Sequence, residues 1–189
     1  MRSAEIVRET LETRVEVKVA LEGSGEARVD TGIGFLNHLV ETLLYYAGVK
    51  AEVLVEEKRR VDDHHVAEDL ALALGEALRR AAGDKVARYG YAVVPMDECL
   101  VLAALDYSGR PGAYVELPFT RSEVGGLALE NVEHFITSLA STLKATIHVK
   151  ALRAGNNHHL AEAAFKALGM ALGRALAPAG RIVSTKGVL

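Results

Sequence analysis

The sequence predicts an α+β fold built from two copies of one sheet-and-helix unit, related by a pseudo-twofold axis. Three observations predict it: the C-terminal half repeats the N-terminal half, strand-like alternation recurs in the same order in both, and each half closes on a helix that opens with His-His. At an offset of 94, the segment His64 to Ala81 matches His158 to Ala175 at 11 of 18 positions. The matches include both histidines, Ala67 with Ala161, Glu68 with Glu162, and Ala73-Leu74-Gly75 with Ala167-Leu168-Gly169. Upstream the match resumes at an offset of 96, which sets His38 over His134 and puts the two-residue shift in a loop. Each unit has an apolar face that only its twin covers, so the halves 1–85 and 86–189 should form one compact body.

The elements follow from periodicity. Glu5 to Thr10, Arg14 to Leu21 and Glu26 to Asp30 alternate with the period of two that a half-buried strand requires, and Gly23-Ser24-Gly25 is expected to close a hairpin between the last two. Gly34 to Tyr46 has a helical apolar stripe and Ala51 to Glu56 alternates again. His64 to Ala81 is helical, with Asp62 or Asp63 as its N-cap. Past the connection that begins at Gly83-Asp84-Lys85, strands are expected near Tyr91 to Val94, Leu100 to Tyr107 and Ala113 to Leu117. A helix from about Leu129 to Thr142, a strand from Thr146 to Leu152 and a helix opening at Asn156 or Asn157 complete the second set.

Composition narrows the function. With 189 residues and 50% hydrophobic content the chain can bury a substantial core. Its net charge of −3 offers no global field to recruit nucleic acid or an anionic membrane. No apolar run approaches the roughly 18 residues a membrane span needs, and the start of the chain lacks an apolar signal core. A soluble protein is expected. The single cysteine, Cys99, lies in the apolar run to Leu105 and reads as a buried thiol suited to a reducing cytosol.

The duplicated histidines point to metal. Successive helical residues are about 100° apart, so His64 and His65 diverge while Glu68 falls between them. Two adjacent histidines therefore reach two ions more easily than one. His38, His64, His65 and Glu68, with His134, His158, His159 and Glu162, provide four ligands for each of two sites and include six of the seven histidines. Imidazole with carboxylate favours Mn, Fe or Zn over Mg or Ca, and leaves positions on an octahedral ion for substrate. A lone histidine or His-Glu pair is more often a solvated surface feature, but packing does not call for the same polar residues twice. His148 overlays Glu52 and stands outside the framework. One expected grouping sets His38 with His65 and Glu68, mirrored by His134 with His159 and Glu162, each completed by a histidine of the other repeat. Because the two His-His helices come from opposite halves, the sites are also expected to form at subunit contacts.

Taken together, Thr31-Gly32-Ile33-Gly34-Phe35-Leu36-Asn37-His38, Asp62-Asp63-His64-His65, Pro95-Met96-Asp97-Glu98, Ser108-Gly109-Arg110-Pro111, the second His-His-x-x-Glu and Ser184-Thr185-Lys186-Gly187 resemble the imidazoleglycerol-phosphate dehydratases over essentially the whole chain. The likeness is to the monofunctional form, without the histidinol-phosphatase domain of bifunctional relatives. It implies the duplicated fold known as ribosomal protein S5 domain 2-like. It also implies removal of water from D-erythro-imidazoleglycerol phosphate to give imidazole acetol phosphate, a step of histidine biosynthesis, with two Mn²⁺ ions per active site. The proton removed sits on a carbon that no carbonyl acidifies, and coordination of both ring nitrogens would favour an imidazolate able to relay the electrons as hydroxide leaves.

By the same resemblance Glu162 combines metal ligation with proton transfer, and Glu12 is the second acid/base group. Arg88, Arg110, Lys166, Ser184 and Lys186 hold the phosphate, with Arg110 in a rigid Gly109-Arg110-Pro111 turn suited to bidentate contact. The family forms cytoplasmic shells of about two dozen subunits built from trimers, with closed symmetry of the kind oligomers favour. Two positions depart from the family pattern: Asn37 replaces an aspartate and Val66 a threonine, and Asn37 is expected to orient His38 by a hydrogen bond. Two other classes compete. A metal-storage bundle would need long antiparallel helices with Glu-x-x-His order, and a dinuclear metallohydrolase would need a bridging carboxylate; neither pattern is present here.

Overall fold

The computed structural model describes residues 2–189, so Met1, the first residue of the expected first half, lies outside the described residues. The first half runs β1 (Ser3–Glu9), β2 (Thr13–Ala20), β3 (Ala27–Asp30), α1 (Gly34–Ala47), β4 (Lys50–Glu57) and α2 (His64–Ala82). The second runs β5 (Tyr89–Met96), β6 (Cys99–Asp106) and β7 (Gly112–Glu116), then a short hairpin of β8 (Glu123–Val124) and β9 (Leu127–Ala128) that the first half lacks. It continues through α3 (Glu130–Leu143), β10 (Thr146–Arg153) and α4 (Asn157–Ala175).

Each half forms a four-stranded sheet of the same topology, β1-β2-β4-β3 and β5-β6-β10-β7. Alternation decides which face is buried: in β2, Val15, Val17 and Val19 point inward while Arg14, Glu16 and Lys18 lie between them on the outer face. The expected hairpin at Gly23-Ser24-Gly25 does not form. β2 pairs with β1 and β4, and β3 lies beyond β4, which it meets in parallel. A parallel pair needs a crossover, supplied here by α1, and the glycine-rich turn carries the chain across the gap that β4 later fills.

The helices lie between their own sheet and the opposite half. α2 rests on β1 and β2 and packs against α3; α4 rests on β5 and β6 and packs against α1. Leu70, Leu74 and Leu78 of α2 are fully buried at a spacing of one helical turn, and truncating any of them to alanine should cost about 2–5 kcal/mol. Gly75 and Gly169 make the twofold explicit. A methyl group at Gly75 would sit 2.6 Å from the Leu139 carbonyl oxygen, and one at Gly169 would overlap the Leu43 carbonyl oxygen. Glycine to glycine is the 94-residue offset and Leu43 to Leu139 is the 96-residue offset, so the two helix crossings repeat the two registers found in the sequence.

Candidate metal centres and active site

The two helix pairs bring matching triads together at their N-terminal ends. Along α1 and α4, Leu43 lies against Gly169 and Ala47 against Gly173, so the helices run in the same direction and their first turns meet. His38 of α1 thereby reaches α4, with Nε2 at 3.2 Å from Glu162 Oε2, and His158 Nε2 is 3.3 Å from the same oxygen. At the other crossing, His134 Nε2 of α3 lies 3.4 Å from Glu68 Oε1 of α2, and the His64 ring stacks on His134 at 4.2 Å. In each triad the donor atoms all lie within 4.8 Å of one another.

This grouping differs from the within-repeat triads expected from the sequence. Glu68 and Glu162 are joined by the histidine four residues earlier, His64 or His158, and by a histidine from the opposite repeat. The cause is the crossing of α1 with α4 and of α2 with α3, which an internal alignment does not contain. His65 and His159 project elsewhere. His65 Nδ1 lies 3.0 Å from Glu12 Oε2 at the β1–β2 tip, and His159 Nδ1 lies 3.0 Å from Glu98 Oε2 at the β5–β6 tip. Asp97 Oδ2 is 3.5 Å from His159 Nε2.

Local structure holds the ligand helices in place. Asp63 is the N-cap residue of α2, but its carboxylate accepts from Ala128 N–H, and Asp62 instead accepts from His64 N–H at 3.0 Å. At α4 the N-cap Asn156 accepts from His158 N–H at 2.8 Å, while buried Asn157 accepts from the Thr120 and Arg121 N–H groups. The second residue of each pair therefore ties the inserted segment to a His-His helix. Asn37 does not orient His38 as expected: its carbonyl oxygen accepts from Thr31 N–H at 2.9 Å and from the Thr31 hydroxyl, fixing the loop before α1. Val66 points into the core.

The triads suit a borderline divalent metal. Two imidazoles and a carboxylate form each donor set. His134 Nε2 is buried and has no hydrogen-bond partner among the described residues, as suits a nitrogen placed to bind an ion. Asn131 Oδ1, an acceptor, lies 3.0 Å from His64 Nδ1, which places the proton there and leaves Nε2 free as the ligand atom. The surroundings of the triads differ. Lys166 Nζ lies 2.9 Å from Glu162 Oε1, and Phe35 packs on His158 at 4.9 Å, whereas the equivalents beside the other triad are Leu72 and Asn131. Burial alone would raise the Glu162 pKa, but the bonds and charge from Lys166 and His38 outweigh it and hold the carboxyl below its ordinary value.

Of the residues assigned to phosphate, the structure brings four into one region. Arg88 donates to Asp106 at 2.7 Å and to the Val183 carbonyl at 2.9 Å, next to Ser184. Arg110 approaches the same Asp106 carboxylate at 3.8 Å with its side chain largely exposed, and Gly109 beside it touches the C-terminal Leu189. The Ser184 hydroxyl accepts from Lys186 N–H. Arg88 has φ 74, a left-handed conformation that a non-glycine residue adopts at some cost and that often marks a functional position. Lys166 lies apart, at the Glu162 triad. Arg88 N–H bonds to Ala175 O at the far end of α4, so about 25 Å of helix separates this region from His158 of the same chain.

Sequence reasoning missed three sets of supporting residues. Asn131 orients His64. Asp69, buried behind Glu68, accepts from Arg8 at 2.8 Å and from Thr13, while Thr10 Oγ1 accepts the N–H groups of Glu12 and Thr13, which fixes the loop carrying Glu12. Asp97 and Glu98 were visible within a motif, but nothing linked them to His159. His148 stacks on Tyr114 at 4.6 Å on the outer face of the second sheet, away from the triads.

Comparison with known proteins identifies the family. A family model described as imidazoleglycerol-phosphate dehydratase matches residues 31–172. The dehydratase of Caldivirga maquilingensis is 50% identical over 191 residues, covering 100% of this chain and 99% of that protein. That of Metallosphaera sedula is 46% identical over the same shares. The crystal structure of the Pyrococcus furiosus enzyme, in complex with (S)-C348, superimposes with a TM-score of 0.87 at 38% identity, covering 97% of this chain and all of that one. The Staphylococcus aureus enzyme gives 0.82 at 32% identity over 93% of this chain and 99% of that one. The chain belongs to the imidazoleglycerol-phosphate dehydratase family, hydro-lyases of histidine biosynthesis.

Proposed function

We propose that the chain dehydrates D-erythro-imidazoleglycerol phosphate to imidazole acetol phosphate with two Mn²⁺ ions per active site, in sites completed between subunits. The observation that carries this reading is the pair of matched triads, His38-His158-Glu162 and His64-Glu68-His134, each with two imidazoles and a carboxylate converging on one point. Divalent ions held there would act as Lewis acids on the substrate's imidazole ring and ease loss of a proton from the adjoining carbon. His65 and His159 lie outside both triads of their own chain, and they are the donors that would raise each set to four from a neighbouring subunit. Glu162, kept ionised by Lys166, takes the proton; Glu12, paired with His65, returns one to the leaving hydroxyl. Arg88, Arg110, Ser184 and Lys186 anchor the phosphate, and Lys166 reaches it from the metal side.

Self-association into a large homo-oligomer has support of its own. The separation along α4 is long for one small substrate to bridge, which supports a site built from a triad and a phosphate region of different subunits. The outer face of the second sheet also carries an aromatic-rich row, Tyr91-Ala104-His148-Tyr114, where the first sheet carries the charged row Glu5-Lys18-Glu52-Arg28. Tyr91 is 70% and Tyr114 61% exposed in the single chain, neighbouring aromatic rings of the kind that subunit interfaces cover. No helix among the described residues is long and apolar enough to cross a membrane, and a buried free thiol at Cys99 suits the reducing cytoplasm in which we place the enzyme.

The test is turnover of imidazoleglycerol phosphate before and after chelation, with Mn²⁺ then restored. Activity should vanish on chelation and return with the metal. Full activity in metal-free protein overturns the metal reading.

A further inference from the structure

We propose that Glu98 is a positioning residue that holds His159 ready to bind metal, the counterpart in the second half of Glu12 beside His65. The proposal rests on the metal reading above. The two carboxylates reach the same atom of their histidines at the same 3.0 Å distance, Glu12 Oε2 to His65 Nδ1 and Glu98 Oε2 to His159 Nδ1. The two carboxylates also hold equivalent places in the fold. Glu98 follows Glu12 by 86 residues, the same register that sets Tyr91 and Ala104 over Glu5 and Lys18, and the registers of 94 and 96 arise only beyond the inserted β8–β9 segment. Each copy keeps a carboxylate against the second histidine although its neighbours in the turn differ, Leu11 and Thr13 in one and Asp97 and Cys99 in the other, which points to a requirement of the site.

The surroundings of Glu98 fit that role. Its Oε1 accepts the Asn156 N–H at 2.5 Å, and Asn156 in turn caps the first turn of α4 through His158 N–H. One carboxylate thus fixes both the entry to the helix and the ring of its second histidine. Gly155 leaves the space: a methyl group there would lie 2.8 Å from Glu98 Cδ. With Oε1 accepting the Asn156 N–H and Oε2 turned to the ring, the carboxylate is placed to accept from His159. His159 Nδ1 then carries the proton, and the Nε2 lone pair is left for an ion. Asp97, the nearest group to Nε2, is 69% exposed and free to turn aside.

Mn²⁺ titration of the full-length protein by calorimetry, on wild type, Glu98→Ala, Glu98→Gln, His159→Ala and Glu98→Ala with His159→Ala, tests the proposal, with thermal midpoints measured alongside. Loss of a partner that orients a metal-binding histidine should weaken one of the two site classes about 10–100-fold and leave the other at its wild-type affinity. Measured against His159→Ala alone, the double variant should show little further loss, since the ring that Glu98 orients is already gone. Glu98→Gln keeps one acceptor oxygen and should fall between wild type and alanine. If both site classes keep wild-type affinity in Glu98→Ala and Glu98→Gln while only the thermal midpoint falls, Glu98 merely anchors α4 and the proposal is overturned. Wild-type protein that takes up no Mn²⁺ overturns the metal reading itself, and this proposal with it.

Discussion

If a triad and a phosphate region from different subunits build one site, two inactive variants should restore each other. Glu162→Gln removes the carboxylate from its triad with little change of volume, and Arg110→Ala alters a side chain that is 68% exposed, so both variants should fold. Each alone leaves every site with one lesion. Co-expressed in equal amounts under two tags and purified through both, the subunits mix within the oligomer. A site then needs an intact triad from one chain and an intact phosphate region from another. These are independent draws with even odds, so about one quarter of the sites in a symmetric assembly should be whole. The distance along α4 makes the alternative sharply different. Were both parts of a site contributed by one chain, every chain would carry a lesion and no arrangement of subunits could heal it. Specific activity of the doubly purified oligomer near one quarter of wild type is the expected result; activity no higher than that of the separate variants refutes the composite site.

Two further outcomes concern the scaffold. Gly75→Ala should lower the thermal midpoint although alanine is the better helix former, by about 1 kcal/mol. The added methyl meets backbone atoms of α3, which cannot turn aside, and overpacking of that kind costs about 1–3 kcal/mol; a raised midpoint would mean that α2 and α3 separate easily. Glu9 donates the charge that pins Lys58 beside the Glu12 loop, and bonding and charge from Lys58 hold its pKa below the usual 4.5. A lowered folded pKa favours the ionised form, so the pair stabilises the fold above pH 4.5 and loses that contribution as pH falls through the depressed value. The difference in midpoint between wild type and Glu9→Gln should therefore be constant above about pH 5 and close in acid. A difference that persists at the acid limit would show that the Glu9 charge is not its source.

What the sequence revealed and concealed has physical reasons. The eight ligand candidates were legible because duplication wrote each polar residue twice on an apolar background. Their grouping was not, since it depends on which helices cross, yet a trace of that was present. Gly75 and Gly169 hold the same place in both copies, and a helix-interior glycine costs about 1 kcal/mol against alanine, so its repetition marks a close helix contact. Strand order was hidden because β2 and β3 alternate identically whether or not β4 lies between them. Glu98 escaped the alignment because its hairpin keeps a register of 86, outside the 94 and 96 that were matched, and the phosphate residues carried no signal beyond their likeness to a family.

The asymmetry between the triads, by contrast, can be read in the alignment once the fold supplies its meaning. The ligands are the same in both, but Lys166 stands over Leu72 and Phe35 over Asn131. One carboxylate, Glu162, is therefore buried beside a cation that keeps it ionised, while Glu68 has no lysine at the matching place and remains more open to solvent. The other half instead fixes a histidine, since Asn131 sets the proton of His64 where Phe35 can only pack on His158. A twofold arrangement suits the binding of two similar ions, yet a dehydration needs its proton taken at one place and returned at another. Substitutions beside the ligands, with the ligands left alone, are the smallest change that lets a symmetric metal cradle carry an asymmetric reaction. Under the proposed function they favour Glu162 over Glu68 as the base.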